Sequence, residues 1–148
     1  MRKRSLAAIA SAAFGAGYGS LATVASAQTP IHARFDLCGS GPRVTCVVDG
    51  DTFWLEGTKI RIADINTPET SQPGCAAEAE LGARATRRLV QLLNAGPFML
   101  EVQGRATDRY GRALRVVTRK GSSLAESLVA EGLAERWTGR RGDWCAAS

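Results

Sequence analysis

Two acid–glycine pairs, Asp49-Gly50 and Glu56-Gly57, fall within one short stretch and punctuate three runs of strand-like residues. That punctuation limits the fold more than anything else in the chain. Val44, Cys46 and Val48 alternate with Thr45 and Val47, Thr52 to Leu55 forms a second run, and Lys59 to Ile65 a third. Runs this short, joined at acid–glycine turns, predict strands linked by hairpins. In the third run Ile60 and Ile62 share one face and Arg61 takes the other, because side chains alternate along a strand. Asn66 to Gly74 holds two prolines and a glycine and reads as loop. From Ala77 the period lengthens: Leu81, Ala85, Leu89 and Leu92 form one helical stripe, stopped by Asn94 and Gly96-Pro97. Arg84, Arg87 and Arg88 lie on another face and read as a solvated one. Phe98, Leu100 and Val102 alternate in a fourth strand, Gly104 to Gly111 is a polar loop, and Ala113 to Thr118 is a fifth strand. Ser123 and Glu126 have capping-box spacing and predict a helix ending at Gly132. Gln28 to Phe35 shows no periodicity. The order of three strands, helix, two strands, helix predicts an α+β chain, mainly β. The architecture expected is a five-stranded OB-type Greek-key barrel, with one helix between strands 3 and 4 and a second after strand 5. An open α+β sheet fits the same periodicities.

The first residues carry a different message. Met1-Arg2-Lys3-Arg4 is a basic start, Leu6 to Val24 is apolar and small, and Ala25-Ser26-Ala27 has the small-residue pattern of a cleavage site. Residues 1–27 therefore read as a secretory signal peptide, 28–42 as a lead-in, and 43–148 as the folded domain. The expected destination is the periplasm or the medium, with no stable membrane association once the signal is cut. Taking Arg2, Lys3 and Arg4 from 19 basic residues leaves 16, against 14 acidic ones. Bulk charge therefore gives no argument for polyanion binding, and any such affinity must come from local clusters. About 121 residues remain after cleavage, enough for one domain, and a monomer is the expected form. Four cysteines in an exported chain imply disulfides, with three possible connectivities. The pairing expected is Cys38–Cys46 as a local loop and Cys75–Cys145 as a clamp on the C-terminal segment. A single histidine, His32, and no C-x-x-C spacing exclude a zinc site of the usual kind. His32 reads as a solvated residue.

The residues with chemistry lie close together. Asp49-Gly50-Asp51-Thr52 offers carboxylates in a turn, Arg61 a guanidinium on a strand, and Asn66-Thr67-Pro68-Glu69 a proline-stiffened corner ending in an acid. Asp108-Arg109-Tyr110-Gly111-Arg112 supplies further arginines. Oxygen donors suit a hard divalent cation. The planar fork of arginine suits a phosphate, and a spare carboxylate can orient or deprotonate a water. Each has a plainer reading: Asp51 as a turn acid, Arg61 and Arg112 as surface charges, Glu69 as a loop charge, Tyr110 as packing.

Taken together, Asp49-Gly50-Asp51-Thr52, Arg61 with Thr67-Pro68-Glu69, and Asp108-x-Tyr110-Gly111-Arg112 resemble the motif set of the staphylococcal nuclease (thermonuclease) family, over roughly residues 44 to 136. The resemblance implies an OB-type barrel and Ca²⁺-dependent hydrolysis of DNA and RNA that leaves 3′-phosphate ends. It implies phosphate contacts from Arg61 and Arg112, a water-handling role for Glu69, and metal binding by Asp51, Asn66 and the backbone carbonyl of Thr67. Tyr110, with Arg109 beside it, falls near the expected nucleotide. The pattern departs from the family at Asn66, where an aspartate is usual, so weaker calcium binding or use of another divalent ion is expected. It departs again after Leu133-Ala134, where the expected tyrosine pair is missing and Trp137 lies nearby. A nucleic-acid-binding module with weak or no catalysis is the alternative reading.

Overall fold

A computed structural model describes residues 28–146, so the expected signal peptide lies outside the described residues. The three predicted hairpin strands appear as β1 (Cys46–Asp49), β2 (Thr52–Leu55) and β3 (Thr58–Ile62). The third run does not continue to Ile65 as one strand. It breaks at Ala63-Asp64 and resumes as β4 (Ile65–Asn66). The break lets Ile65 and Asn66 leave the main sheet and pair with β8 (Glu135–Arg136), Ile65 opposite Arg136 and Asn66 opposite Glu135. After α1 (Ala76–Asn94) come β5 (Met99–Glu101), β6 (Ala113–Arg119), the two-residue β7 (Ser122–Ser123) and α2 (Ala125–Ala130).

The main sheet runs β1-β2-β3-β6-β5, with β7 on β6. The β3–β6 pair is parallel and sets Arg61 opposite Leu114. The chain is α+β, mainly β, with two helices as expected, and among the described residues no closed barrel is detected. Among the described residues no ladder joins β5 to β1. The lead-in instead touches both edges through isolated bridges, Ile31 with Phe98 before β5 and Leu37 with Val47 in β1.

That lead-in is part of the core, contrary to its featureless reading. Ile31, Ala33 and Phe35 turn inward while His32 and Arg34 are exposed. Phe35 is fully buried, edge-on to Phe53 at 5.6 Å and tilted against Phe98 at 6.0 Å. Asn94 holds it in place: Phe35 N–H donates to Asn94 Oδ1 and Asn94 Nδ2 donates to Phe35 O, both at 2.8 Å. The helical stripe is met at Ala85, Leu89 and Leu92, all buried, and extends to Leu93 and Gly82. Arg84 and Arg87 are exposed as expected, while Arg88 pairs with Glu131. The predicted capping box does not form: Leu124 is the N-cap of α2, with no side-chain cap, and the helix ends at Ala130 rather than Gly132. Ser123 Oγ accepts from Ala125 N–H at 3.2 Å, but Glu126 turns to Arg136 instead of reaching back.

Both expected disulfides, Cys38–Cys46 and Cys75–Cys145, are present. Paired cysteines point to folding in an oxidising compartment. Among the described residues no helix is long and apolar enough to cross a membrane.

Candidate phosphate and metal site

The corner after β4 is built by close approach to α1. A Cβ on Gly82 would lie 2.9 Å from the carbonyl oxygens of both Pro68 and Glu69, so only glycine lets the helix pass this near. Gly50 does the same in the β1–β2 turn, where a Cβ would lie 2.7 Å from Ala85 Cβ and 2.9 Å from Thr67 Cγ2. Glu78, in the first turn of α1, accepts Glu69 N–H at 3.1 Å and Gly74 N–H at 2.7 Å. An acid is favoured there by the exposed N–H groups of the helix start. Glu78 thus fixes the backbone that carries Glu69.

Asp51 sits at the centre and is buried. Its Oδ1 accepts Thr52 Oγ1–H at 3.0 Å and its Oδ2 accepts Thr67 N–H at 3.1 Å. Arg61 Nη1 lies 3.2 Å from the same Oδ2. That nitrogen also donates to Ile62 O at 2.6 Å and Ile65 O at 2.9 Å. All three contacts fall on Nη1, which holds a buried guanidinium in one orientation and leaves its Nη2 edge for a ligand. Asp49 is half-buried beside Asp51. Burial, then the neighbouring Asp51 carboxylate, push its pKa up to about 6. Two abutting carboxylates offer the oxygen donors that a hard cation prefers, with the Arg61 guanidinium beside them. Among the described residues, however, no set of three His, Cys, Asp or Glu side chains converges as a ready metal cluster.

Arg112 comes from a tighter device. Asp108 Oδ1 accepts the N–H groups of Tyr110 at 2.9 Å and Arg112 at 3.0 Å, and Oδ2 accepts Arg112 Nε at 2.6 Å. Burial raises the Asp108 pKa, but hydrogen bonds from the Arg112 side chain and from the Arg112 and Tyr110 backbones outweigh it, so the carboxyl lies below its ordinary value. Gly111 closes the turn at φ 78°. Tyr110 is exposed, with the guanidinium carbons of Arg109 and Arg112 4.8 and 5.5 Å from its ring centre.

These pieces meet. A small polar cavity of about 50 Å³ is lined by Asp49, Asp51, Thr67, Glu69, Arg61 and Arg112, among others. Beside it runs an open groove of about 660 Å³, whose walls include Arg105, Arg109, Tyr110 and Trp137. Of the residues the sequence singled out, Asp51, Arg61, Thr67, Glu69 and Arg112 share the cavity, and Arg109 and Tyr110 flank the groove. Asn66 is buried nearby but does not line the cavity, and its Nδ2 donates to Glu135 Oε1 at 2.9 Å. Asp64 belongs elsewhere, accepting Ser123 Oγ–H at 2.7 Å. Sequence reading missed Glu78 and Gly82, and it marks Arg141 only as one of a local basic cluster with Arg136 and Arg140, not as a neighbour of Glu69. A glycine inside a helical stripe was the available signal for Gly82.

A mixed α+β domain with arginines and carboxylates gathered on one cavity carries the side-chain chemistry that suits an anion. Its relatives narrow that reading. The sequence profile described as "Staphylococcal nuclease homologue" matches residues 59–143, more than half of the chain, and the chain belongs to that family. It is similar to "Endonuclease YncB" of Bacillus subtilis (strain 168), 38% identical over 92 residues that cover 59% of this chain and 43% of that protein. "SPbeta prophage-derived endonuclease YokF" of the same organism is also 38% identical over 92 residues, covering 59% of this chain and 31% of the relative. "Thermonuclease" of Staphylococcus intermedius is 29% identical over 103 residues, covering 67% and 61%. The chain thus spans about a third to three fifths of the length of these relatives.

Proposed function

We propose that this protein is an exported nuclease that hydrolyses phosphodiester bonds of DNA or RNA, leaving 3′-phosphate ends, with a divalent cation as cofactor. The observation that carries the reading is the convergence of Arg61, Arg112 and Glu69 on one cavity. Side chains at 61 and 112 on opposite faces of the sheet would have argued against it. The printed names of the relatives, endonuclease and thermonuclease, favour the same chemistry.

Hydrolysis gathers negative charge on the phosphorus oxygens as water attacks. Arg61 and Arg112 each present a planar pair of N–H donors that stays charged, and both are braced by a carboxylate, Asp51 for one and Asp108 for the other. Preorganised donors of this kind stabilise the transition state without reorganising during the reaction. Glu69, on a corner fixed by Pro68, Gly82 and Glu78, orients the water or takes its proton. Asp51 and the Thr67 carbonyl, with Asp49 adjacent, would hold Ca²⁺, while the expected ligand Asn66 stands outside the cavity lining. A bound ion would add Lewis-acid stabilisation of the phosphate charge. Two carboxylates side by side repel each other, and a cation would relieve that repulsion.

One assay tests the reading. Purified protein is incubated with single-stranded DNA in Ca²⁺ or in chelator, alongside Glu69→Gln. Cleavage should occur with the ion, stop with chelator, and fall by roughly 10²–10⁴-fold in the variant, the usual contribution of a positioned acid or base. Persistence in chelator and in the variant would overturn it. DNA binding without cleavage would establish the binding-module alternative, which the use of the Asn66 amide by Glu135 favours.

A further inference from the structure

Three side chains line both the small cavity and the groove, and all are arginines: Arg61, Arg112 and Arg141. Arg61 lies on β3 and Arg112 in the turn just before β6. Arg141 belongs to the segment 137–145, which crosses the mouth of the site as a strap. The strap is anchored at three points. Trp137 N–H donates to Asp64 O at 2.9 Å, Gly142 N–H to Glu135 Oε1 at 2.6 Å, and Cys145 is bonded to Cys75 at the start of α1. Between these anchors Arg141 forms an ion pair with Glu69, the acid assigned to the water. The Arg141 side chain is 59% exposed, whereas that of Arg61 is 10% exposed and held by the protein through Nη1. An exposed ion pair is weak in water, so an incoming phosphate can take the guanidinium from the carboxylate.

We propose that the disulfide-tied strap supplies Arg141 as a third phosphate-contacting residue, which rests on Glu69 in the free protein and transfers to the substrate when it binds. Arg141 is then both a substrate ligand and the counter-charge that keeps Glu69 in place while the site is empty. The inference rests on the phosphodiester reading given above.

The test measures binding of a short single-stranded DNA in chelator, where cleavage is expected to stop, as a function of salt. Arg141→Gln should weaken binding roughly tenfold at low salt. It should also flatten the slope of log K against log [salt] by about 0.7, the contribution of one phosphate contact on a single strand. Arg141→Lys should restore the slope but only part of the affinity, because lysine keeps the charge and loses the fork. Replacing Cys75 and Cys145 together by alanine should weaken binding in the same direction. Equal slopes for wild type and Arg141→Gln would overturn the proposal, even if Glu69→Gln abolishes cleavage and the nuclease reading survives. A wild type that neither binds nor cleaves DNA would overturn both.

Discussion

At the Glu56-Gly57 turn both residues take left-handed backbone, φ 49° and 81°, and nothing stands within 4 Å of where a glycine side chain would begin. At Asp49-Gly50 the glycine has no positive φ, yet a Cβ would collide with Ala85 and Thr67. One glycine serves the path of the chain. The other serves proximity, letting the turn that carries Asp51 press against the helix and the Thr67-Pro68-Glu69 corner. The same acid–glycine signal therefore marks a turn needed only to reverse a strand and a turn that also assembles a site. The acids differ in parallel: Glu56 faces solvent, whereas Asp49 is half-buried beside the Asp51 carboxylate.

Mutations can break that contrast. Asp51→Ala should have the largest effect. It strips a carboxylate from buried Arg61 and should cost about 4 kcal/mol, read by urea denaturation. Gly50→Ala should cost about 3 kcal/mol, because helix and corner must shift to admit a methyl group. Gly57→Ala, which meets only backbone strain, should cost about 1 kcal/mol. Equal losses at the two glycines would erase the distinction between the turns. Asp49→Asn should act in the opposite direction. The folded-state pKa of about 6 lies above the ordinary 3.8, so the native protein holds a proton longer than the unfolded chain. Stability should then fall as pH rises from about 4 to about 6 in metal-free buffer. The variant should lose that slope and gain on the order of 2 kcal/mol above pH 6, less whatever solvent screens at a half-buried position.

Local pattern made much of this legible. The two turns, the alternation of Ile60, Arg61 and Ile62, and the Ala85-Leu89-Leu92 stripe all depend on near neighbours, and all appear in the structure. Arg61, Glu69 and Arg112 were found by motif, and they share a cavity. What escaped depends on partners far away in sequence. Ile31, Ala33 and Phe35 do alternate, but over so few residues that their burial shows only once Phe53 and Phe98 close round them. The break at Ala63-Asp64 exists because β8, some seventy residues on, is there to receive Ile65. Arg141 stands beside Glu69 only because the strap is anchored at Asp64, Glu135 and Cys75.

The bond between Cys75 and Cys145 joins positions 70 residues apart. The loop it closes contains β5, β6 and β8, so the bond ties the C-terminal segment back to the start of α1 across most of the second half of the chain. The wall formed by the strap is held at its far end by a covalent bond that only oxidation makes. A chain still in its dithiol form has the floor of the site without a fastened roof, which couples maturation of the pocket to the redox state of the compartment around it.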